Sequence, residues 1–231
     1  MANKSVNRPI SKLASGQEVI GASGAEDLSV HMVHEDLSTG ATPQFLAEVE
    51  FQKRSNVICI KWGNKYASDE VNLLYKMIKA NTKNHDISFY CFTDNQSGLI
   101  KEIIPKPLPI LNVSQEDNKY SYRKEAGLCD DELGGLNGQR VFYFDIDVII
   151  TDEIDSMFEY PKSDEFIIIN DWATRGSRVG QASCYSWIVG TLGYVKRDFE
   201  ADPKKWVKKF YTASQEYLSY KIIERDGKLN F

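Results

Sequence analysis

From residue 55 onward the chain alternates short apolar runs with amphipathic stretches, and each pairing predicts a strand followed by a helix. Residues 56–62 (NVICIKW) are almost continuously apolar, the pattern of a parallel strand covered on both faces. Over residues 68–81, Val71, Leu74, Tyr75 and Ile78 fall on one helical stripe. Ser68 is placed to cap that helix, with Asp69 and Glu70 in its first turn. Residues 87–95 (ISFYCFTDN) predict a second strand and complete a strand–helix–strand unit suited to a right-handed crossover. Pro105, Pro107 and Pro109 lack an N–H, so residues 103–111 predict an extended connector, neither helix interior nor central strand. A helix over 121–133 follows, then a turn at Gly134, Gly135 and Gly138, an apolar strand through 140–150 and another at 166–171. The alternation predicts an α/β fold, a three-layer α/β/α sandwich around a mostly parallel central sheet.

Residues 1–54 read differently. Their only aromatics are Phe45 and Phe51, whereas every Trp and Tyr lies beyond residue 60. With little to build a core from, residues 1–54 are expected to be an N-terminal extension, partly disordered or draped over a domain spanning 55–231. Phe45, Ala47, Val49 and Phe51 alternate with polar residues, the pattern of an added edge strand or of a short helix. His31 and His34 lack further ligands nearby and read as solvent-exposed.

Among the 231 residues, 28 Lys and Arg stand against 33 Asp and Glu, a net charge of −5. That balance argues against a nucleic-acid partner, whose binding draws on basic surface, and no apolar run reaches membrane-span length. Cys59, Cys91, Cys129 and Cys184 show no paired spacing and read as reduced core thiols. The first residues contain no apolar signal-peptide core, and the protein is expected to be cytoplasmic.

The chemical signal lies in residues 141–155 (VFYFDIDVIITDEID). Between Arg140 and Lys162 there are six acids and no Lys or Arg. Asp145 and Asp147 interrupt an apolar run, where an uncompensated carboxylate is costly. On a continuing strand the two would share a face, roughly 6.5–7 Å apart, and could bind one hard divalent cation. The plainer alternative makes both of them caps at the strand's exposed end. The continuing apolar residues Val148, Ile149 and Ile150 favour the metal.

An apolar strand running into Asp-x-Asp also opens the haloacid-dehalogenase-like phosphatases, but there it opens the domain. The stretches IKWGNKYASDEVNLLYKMIKAN, FYCFTDNQSGL, YRKEAGL, GQRVFYFDIDVIITDEID, FIIINDW and SCYSWIVG resemble, in colinear order over about residues 55–220, a bacterial and viral group of glycosyltransferases of the GT-A fold. The resemblance implies a metal-dependent transfer of a sugar from a nucleotide diphosphate donor to a glycan or other small acceptor, with Mn²⁺ or Mg²⁺ as cofactor. It places Lys61, Trp62, Gly63, Lys65 and Tyr66 at the nucleotide and Thr93 and Asp94 near the base or ribose. Arg123 and Lys124 fall on the helix that supplies a cation to ribose or diphosphate, and a solvated helix face is the alternative for that pair. Asp145 is implied to contact ribose or metal-bound water, and Asp147 to coordinate the metal. A charge of −5 agrees with a diphosphate held through a cation.

The same resemblance puts Asn170, Asp171 and Trp172 on the acceptor side, with Asp171 a candidate catalytic residue, and Ser183 and Ser186 at the sugar. Trp187 reads as core in preference to a sugar platform. Where the family carries Gly-Asp-Gln this chain has Ala213, Ser214 and Gln215, so Glu216 becomes the substitute candidate for an acidic role. No His lies downstream of Asp147 to complete a metal shell, which implies a minimal or truncated site with weak donor affinity. A non-catalytic sugar-nucleotide or glycan-binding module on the same fold is the alternative from another functional class.

Overall fold

The computed structural model describes residues 53–114, 122–171, 179–211 and 214–231, apart from the side chain of Arg123. Residues 1–52 of the expected extension, including the Phe45–Phe51 alternation, His31 and His34, lie outside the described residues, as does Trp172, while the extension's last two residues, Lys53 and Arg54, open the first strand.

The strands are β1 (Lys53–Lys61), β2 (His85–Thr93), β3 (Ile103–Lys106), β4 (Arg140–Phe144), β5 (Ile167–Asn170) and β6 (Gly180–Ile188), in the order β3-β2-β1-β4-β6-β5. β1 pairs in parallel with β2 and β4, and β2 with β3, while β6 runs antiparallel to both β4 and β5. The sheet is therefore mostly parallel, with β6 as the reversed strand. Side-chain alternation sends Ile58, Ile60, Val141 and Tyr143 to one face and Val57, Cys59, Phe142 and Phe144 to the other. Helix α1 (Ser68–Ala80) and the short α3 (Asp155–Glu159) pack on the second face through Val71, Leu74, Ile78 and Phe158. The first face carries α2 (Tyr122–Glu125), α4 (Gly193–Ala201), α5 (Pro203–Phe210) and α6 (Ser214–Asp226) through Tyr122, Val195, Phe199, Trp206, Tyr217 and Leu218. This is the three-layer α/β/α sandwich that the periodicity predicts. All four cysteines are free and buried, and Trp187 is core at 1% exposure.

Four local expectations are corrected. The cap of α1 is Ala67, not Ser68; its N–H donates to Glu70 at 2.9 Å, while the Ser68 hydroxyl instead bonds the Ser97 carbonyl. The proline stretch is partly a strand, because β3 lies at the sheet edge, where Pro105 needs no partner for its missing N–H. The helix expected over 121–133 is a single turn, α2, followed by a 3₁₀ turn at Gly127–Cys129. Asp130 then accepts from the N–H groups of Glu132 and Leu133 and stops it.

The fourth correction bears on function. β4 ends at Phe144, not at Ile150. The Asp145 N–H still donates to the Ser183 carbonyl at 2.8 Å, but the Val148 N–H donates back to Asp145 at 3.2 Å and closes a turn. Asp147 lies in that turn, and Ile149, beyond it, is 77% exposed. The two aspartates thus mark a strand end, as the plainer alternative had it, while both still face one cavity. Among the described residues no helix is long and apolar enough to cross a membrane.

Candidate functional site

Strand order reverses direction at β1: β2 and β3 follow on one side, β4 on the other. In open α/β sheets the carboxyl ends of the strands diverge at such a point and leave a crevice. A cavity of about 380 Å³ lies there, lined by Ile60, Trp62, Lys65 and Tyr66 from the end of β1 and its loop, Lys124 from α2, and Tyr143, Asp145, Ile146 and Asp147 from the end of β4.

The loop after β1 is shaped by Gly63, whose φ of +62° suits glycine. Its N–H donates to Asp94 at 3.0 Å, so the end of β2 holds the loop in place. Lys65 lies over the Tyr66 ring, 4.5 Å from its centroid. The hydrogen bond to Tyr66 raises the Lys65 pKa, with smaller help from Asp147 and Asp145, and keeps this exposed amine cationic.

Asp145 is held from two sides. Tyr143, two residues earlier on the same face of β4, donates its hydroxyl to Oδ1 at 2.5 Å, and Lys124 donates to Oδ1 at 3.0 Å and Oδ2 at 3.2 Å. Burial first, then the Asp145 charge, pushes the Tyr143 phenol well above its ordinary range, so it stays a donor. Lys124 reaches Glu125 at 3.1 Å and the Ala182 carbonyl at 3.2 Å. Burial acts to lower the Lys124 pKa, but the Glu125 and Asp145 charges outweigh it and the net direction is upward. Asp147 is exposed and, among the described residues, accepts only from Tyr66, through Oδ2.

The cavity therefore unites six of the expected residues: Trp62, Lys65, Tyr66, Lys124, Asp145 and Asp147. Gly63 and Asp94 form its supporting loop. Lys61 alternates to the opposite face of β1, beside Cys91, and Thr93 closes a turn with Asn95. Asp171 is buried at the end of β5, and Glu216 is exposed in the first turn of α6; neither lines the cavity. Ser186 accepts from Arg140 at 3.0 Å in a buried position and lines a separate apolar cavity of about 350 Å³ on the other face. The remaining acids of the run are structural or superficial: Asp155 caps the Lys83–Asn84 backbone, and Glu153 pairs with Lys83.

Tyr143 and Glu125 were missed as site residues. Period two from Asp145 back to Tyr143 was a usable signal for the first. Glu125 carried only its adjacency to Lys124.

A divalent cation fits part of this donor set. Asp145 has both oxygens engaged by protein donors, whereas Oδ1 of Asp147 has no protein partner among the described residues. Among the described residues, no group of three or more His, Cys, Asp or Glu could enclose a metal ion. One carboxylate is a sufficient protein contribution when phosphate oxygens complete the shell, as Mg²⁺ sites commonly show.

No family model matches the chain. No curated protein matches it. Among solved structures, the apo form of the glycosyltransferase GlyE of Streptococcus pneumoniae aligns over 78% of this chain and 45% of its own, at 13% identity and a TM-score of 0.48. The galactosyltransferase LgtC, in complex with donor and acceptor sugar analogues, aligns over 71% of this chain and 70% of its own, at 15% identity and a TM-score of 0.47. An active-site mutant of LgtC gives 14% and 0.49. The chain thus spans less than half the length of GlyE. Likeness at this level says nothing of chemistry.

Proposed function

We propose that the chain is a GT-A-like glycosyltransferase that binds a nucleoside diphosphate sugar in the β1–β4 crevice and passes the sugar to an acceptor. One observation carries the reading: aromatic rings, two ammonium groups and two carboxylates converge on one cavity at the carboxyl edge of a parallel sheet. Trp62 and Tyr66 offer faces on which a base can stack. Lys65 and Lys124 offer charge to a diphosphate, and Asp145 offers acceptors for ribose hydroxyls. Asp147 would hold Mn²⁺ or Mg²⁺ together with the phosphates; when bound, the ion supplies positive charge to the departing diphosphate. Lys124 stands where it can meet the same developing negative charge from the protein side. The motif resemblance over about residues 55–220 supports the same assignment.

The binding-module reading also has an observation in its favour, since neither Asp171 nor Glu216 reaches the cavity. A melting panel of UDP-, GDP-, ADP- and CDP-sugars with and without Mn²⁺ tests both. A donor at 100 times its dissociation constant adds about 2.7 kcal/mol, a rise of roughly 5–10 °C for a domain of this size. Release of free sugar, or its transfer, from the stabilising donor identifies an enzyme; stabilisation with an intact donor identifies a module. If no sugar nucleotide shifts the transition, the assignment fails.

A further inference from the structure

Glu125 follows Lys124 directly on the single turn of α2, and the lysine bends back onto it, with Nζ 3.1 Å from Glu125 Oε1. Adjacent residues on a helix normally diverge, so this contact selects one folded-back conformation of the Lys124 side chain. The three protons of the ammonium have three protein acceptors: Glu125 at 3.1 Å, Asp145 at 3.0 Å and the Ala182 carbonyl at 3.2 Å. These acceptors are not equivalent. Asp145 faces the cavity and is half-buried. Glu125 is 1% exposed and does not line the cavity, and its Oε2 has no hydrogen-bond partner among the described residues. Its backbone carbonyl accepts from the Cys129 thiol at 3.0 Å. A carboxylate at that depth meets a ligand only through Lys124. A phosphate oxygen entering the cavity can accept the Lys124 hydrogen bond now given to Asp145, but not the one given to Glu125.

We propose that Glu125 is a positioning residue, which keeps the Lys124 ammonium at the cavity wall while its outward N–H turns its hydrogen bond from Asp145 to the diphosphate of the donor. The proposal rests on the sugar-nucleotide reading of this cavity. Lys124 then serves one carboxylate and one phosphate in turn, without a change in its anchor. Without Glu125 the long side chain would follow Asp145 or solvent, and the phosphate would meet a mobile cation.

A double-mutant cycle of Glu125→Gln and Lys124→Met, read in two ways, tests this. In calorimetry with UDP, GDP, ADP and CDP, Glu125→Gln should weaken the best nucleotide by about tenfold, the loss typical of one charge-assisted hydrogen bond. The same change should do nothing further in the Lys124→Met background, and Glu125→Asp should restore part of the loss. Equal weakening in both backgrounds would mean that Glu125 acts on the fold and not through Lys124, and would overturn the proposal. Melting without nucleotide reads the clamp itself. Glu125→Gln should raise the melting temperature more in the Lys124→Met background, where a buried carboxylate has lost its cation, than in the parent. Equal shifts would overturn the clamp. If the parent binds none of the four nucleotides, the sugar-nucleotide reading falls and the phosphate half of the proposal with it. Unequal melting shifts would then still uphold the Glu125–Lys124 clamp.

Discussion

Tyr66 and Asp147, 81 positions apart in the chain, meet through a hydrogen bond of 2.5 Å from the phenol to Oδ2. The bond ties the loop after β1 to the turn after β4 and leaves Oδ1 without a protein partner among the described residues. It also raises the Tyr66 pKa, since ionisation would set two negative groups against each other. Tyr66→Phe keeps the ring and removes the donor. Donor binding with Mn²⁺ should weaken by about three- to tenfold, the net worth of one ordinary hydrogen bond, while binding without Mn²⁺ should not change. Calorimetry under both conditions distinguishes this from direct contact of the phenol with the donor, which would lower both constants alike.

Asp147→Asn removes the charge and keeps the shape. The side chain is exposed, so stability should move by no more than about 0.5 kcal/mol. Mn²⁺-dependent donor binding should collapse to the level seen without metal. A variant that binds donor and Mn²⁺ as the parent does would remove Asp147 from the metal site.

Burial raises the pKa of Glu125 above the ordinary carboxylate range, against the opposing pull of Lys124 and Ser214. A carboxyl so shifted holds its proton more tightly in the folded chain. The stability it contributes is complete below the unfolded value of about 4.3 and is lost as pH rises through the higher folded value. Glu125→Gln fixes a neutral group of the same shape. Its melting temperature should match the parent's near pH 4 and exceed it by a growing margin as pH rises. A difference that stays flat or shrinks with pH would show that the folded pKa is not raised.

Much of this was legible in the sequence. The continuous apolarity of β1 announces a strand buried on both faces, and the stripe of α1 announces one face against it. The convergence of the β1 loop with Asp145 and Asp147 follows once both are placed at strand ends. What was not legible depends on partners distant in the chain. Val148 and Ile150 look like more strand, yet they pack from a loop onto the α1 face of the sheet, and a hydrophobic run does not say which way its backbone turns. Pro105 excludes a central strand but cannot reveal that β2 offers an open edge. Lys61 looks like part of a ligand loop, but it lies on the last residue of β1, where alternation sends it away from the cavity. The Lys124–Glu125 contact rests on one folded-back conformation of the Lys124 side chain, which residue type and spacing do not announce.

The four thiols should be inert in the native protein. Cys184, lining the apolar cavity behind β6, is pushed up to about 12 by burial and by the Asp145 charge. Burial also raises Cys129 and Cys59, while the hydrogen bond with Cys59 lowers Cys91, whose inertness rests on its complete burial. Since the thiolate is the reactive form, a thiol-disulfide reagent near neutral pH should titrate no cysteine quickly and all four in denaturant. Rapid labelling of Cys184 in the folded protein would show that the cavity on that face opens.

The donor itself should bind weakly. Sub-micromolar metal-assisted binding calls for several protein ligands fixed in advance, and among the described residues no third His, Cys, Asp or Glu joins Asp145 and Asp147. Asp145, moreover, is already neutralised by Lys124. The cation would then be shared between one carboxylate and the phosphates of the donor, and neither partner would hold it firmly alone. The expected dissociation constant with Mn²⁺ is about 0.1–1 mM, equivalent to about −5.5 to −4 kcal/mol. Calorimetry with Mn²⁺ and the best sugar nucleotide measures it directly. A sub-micromolar constant would require a further protein ligand to the metal, and Glu116 and Asp117, outside the described structure, would be the place to look for it by substitution.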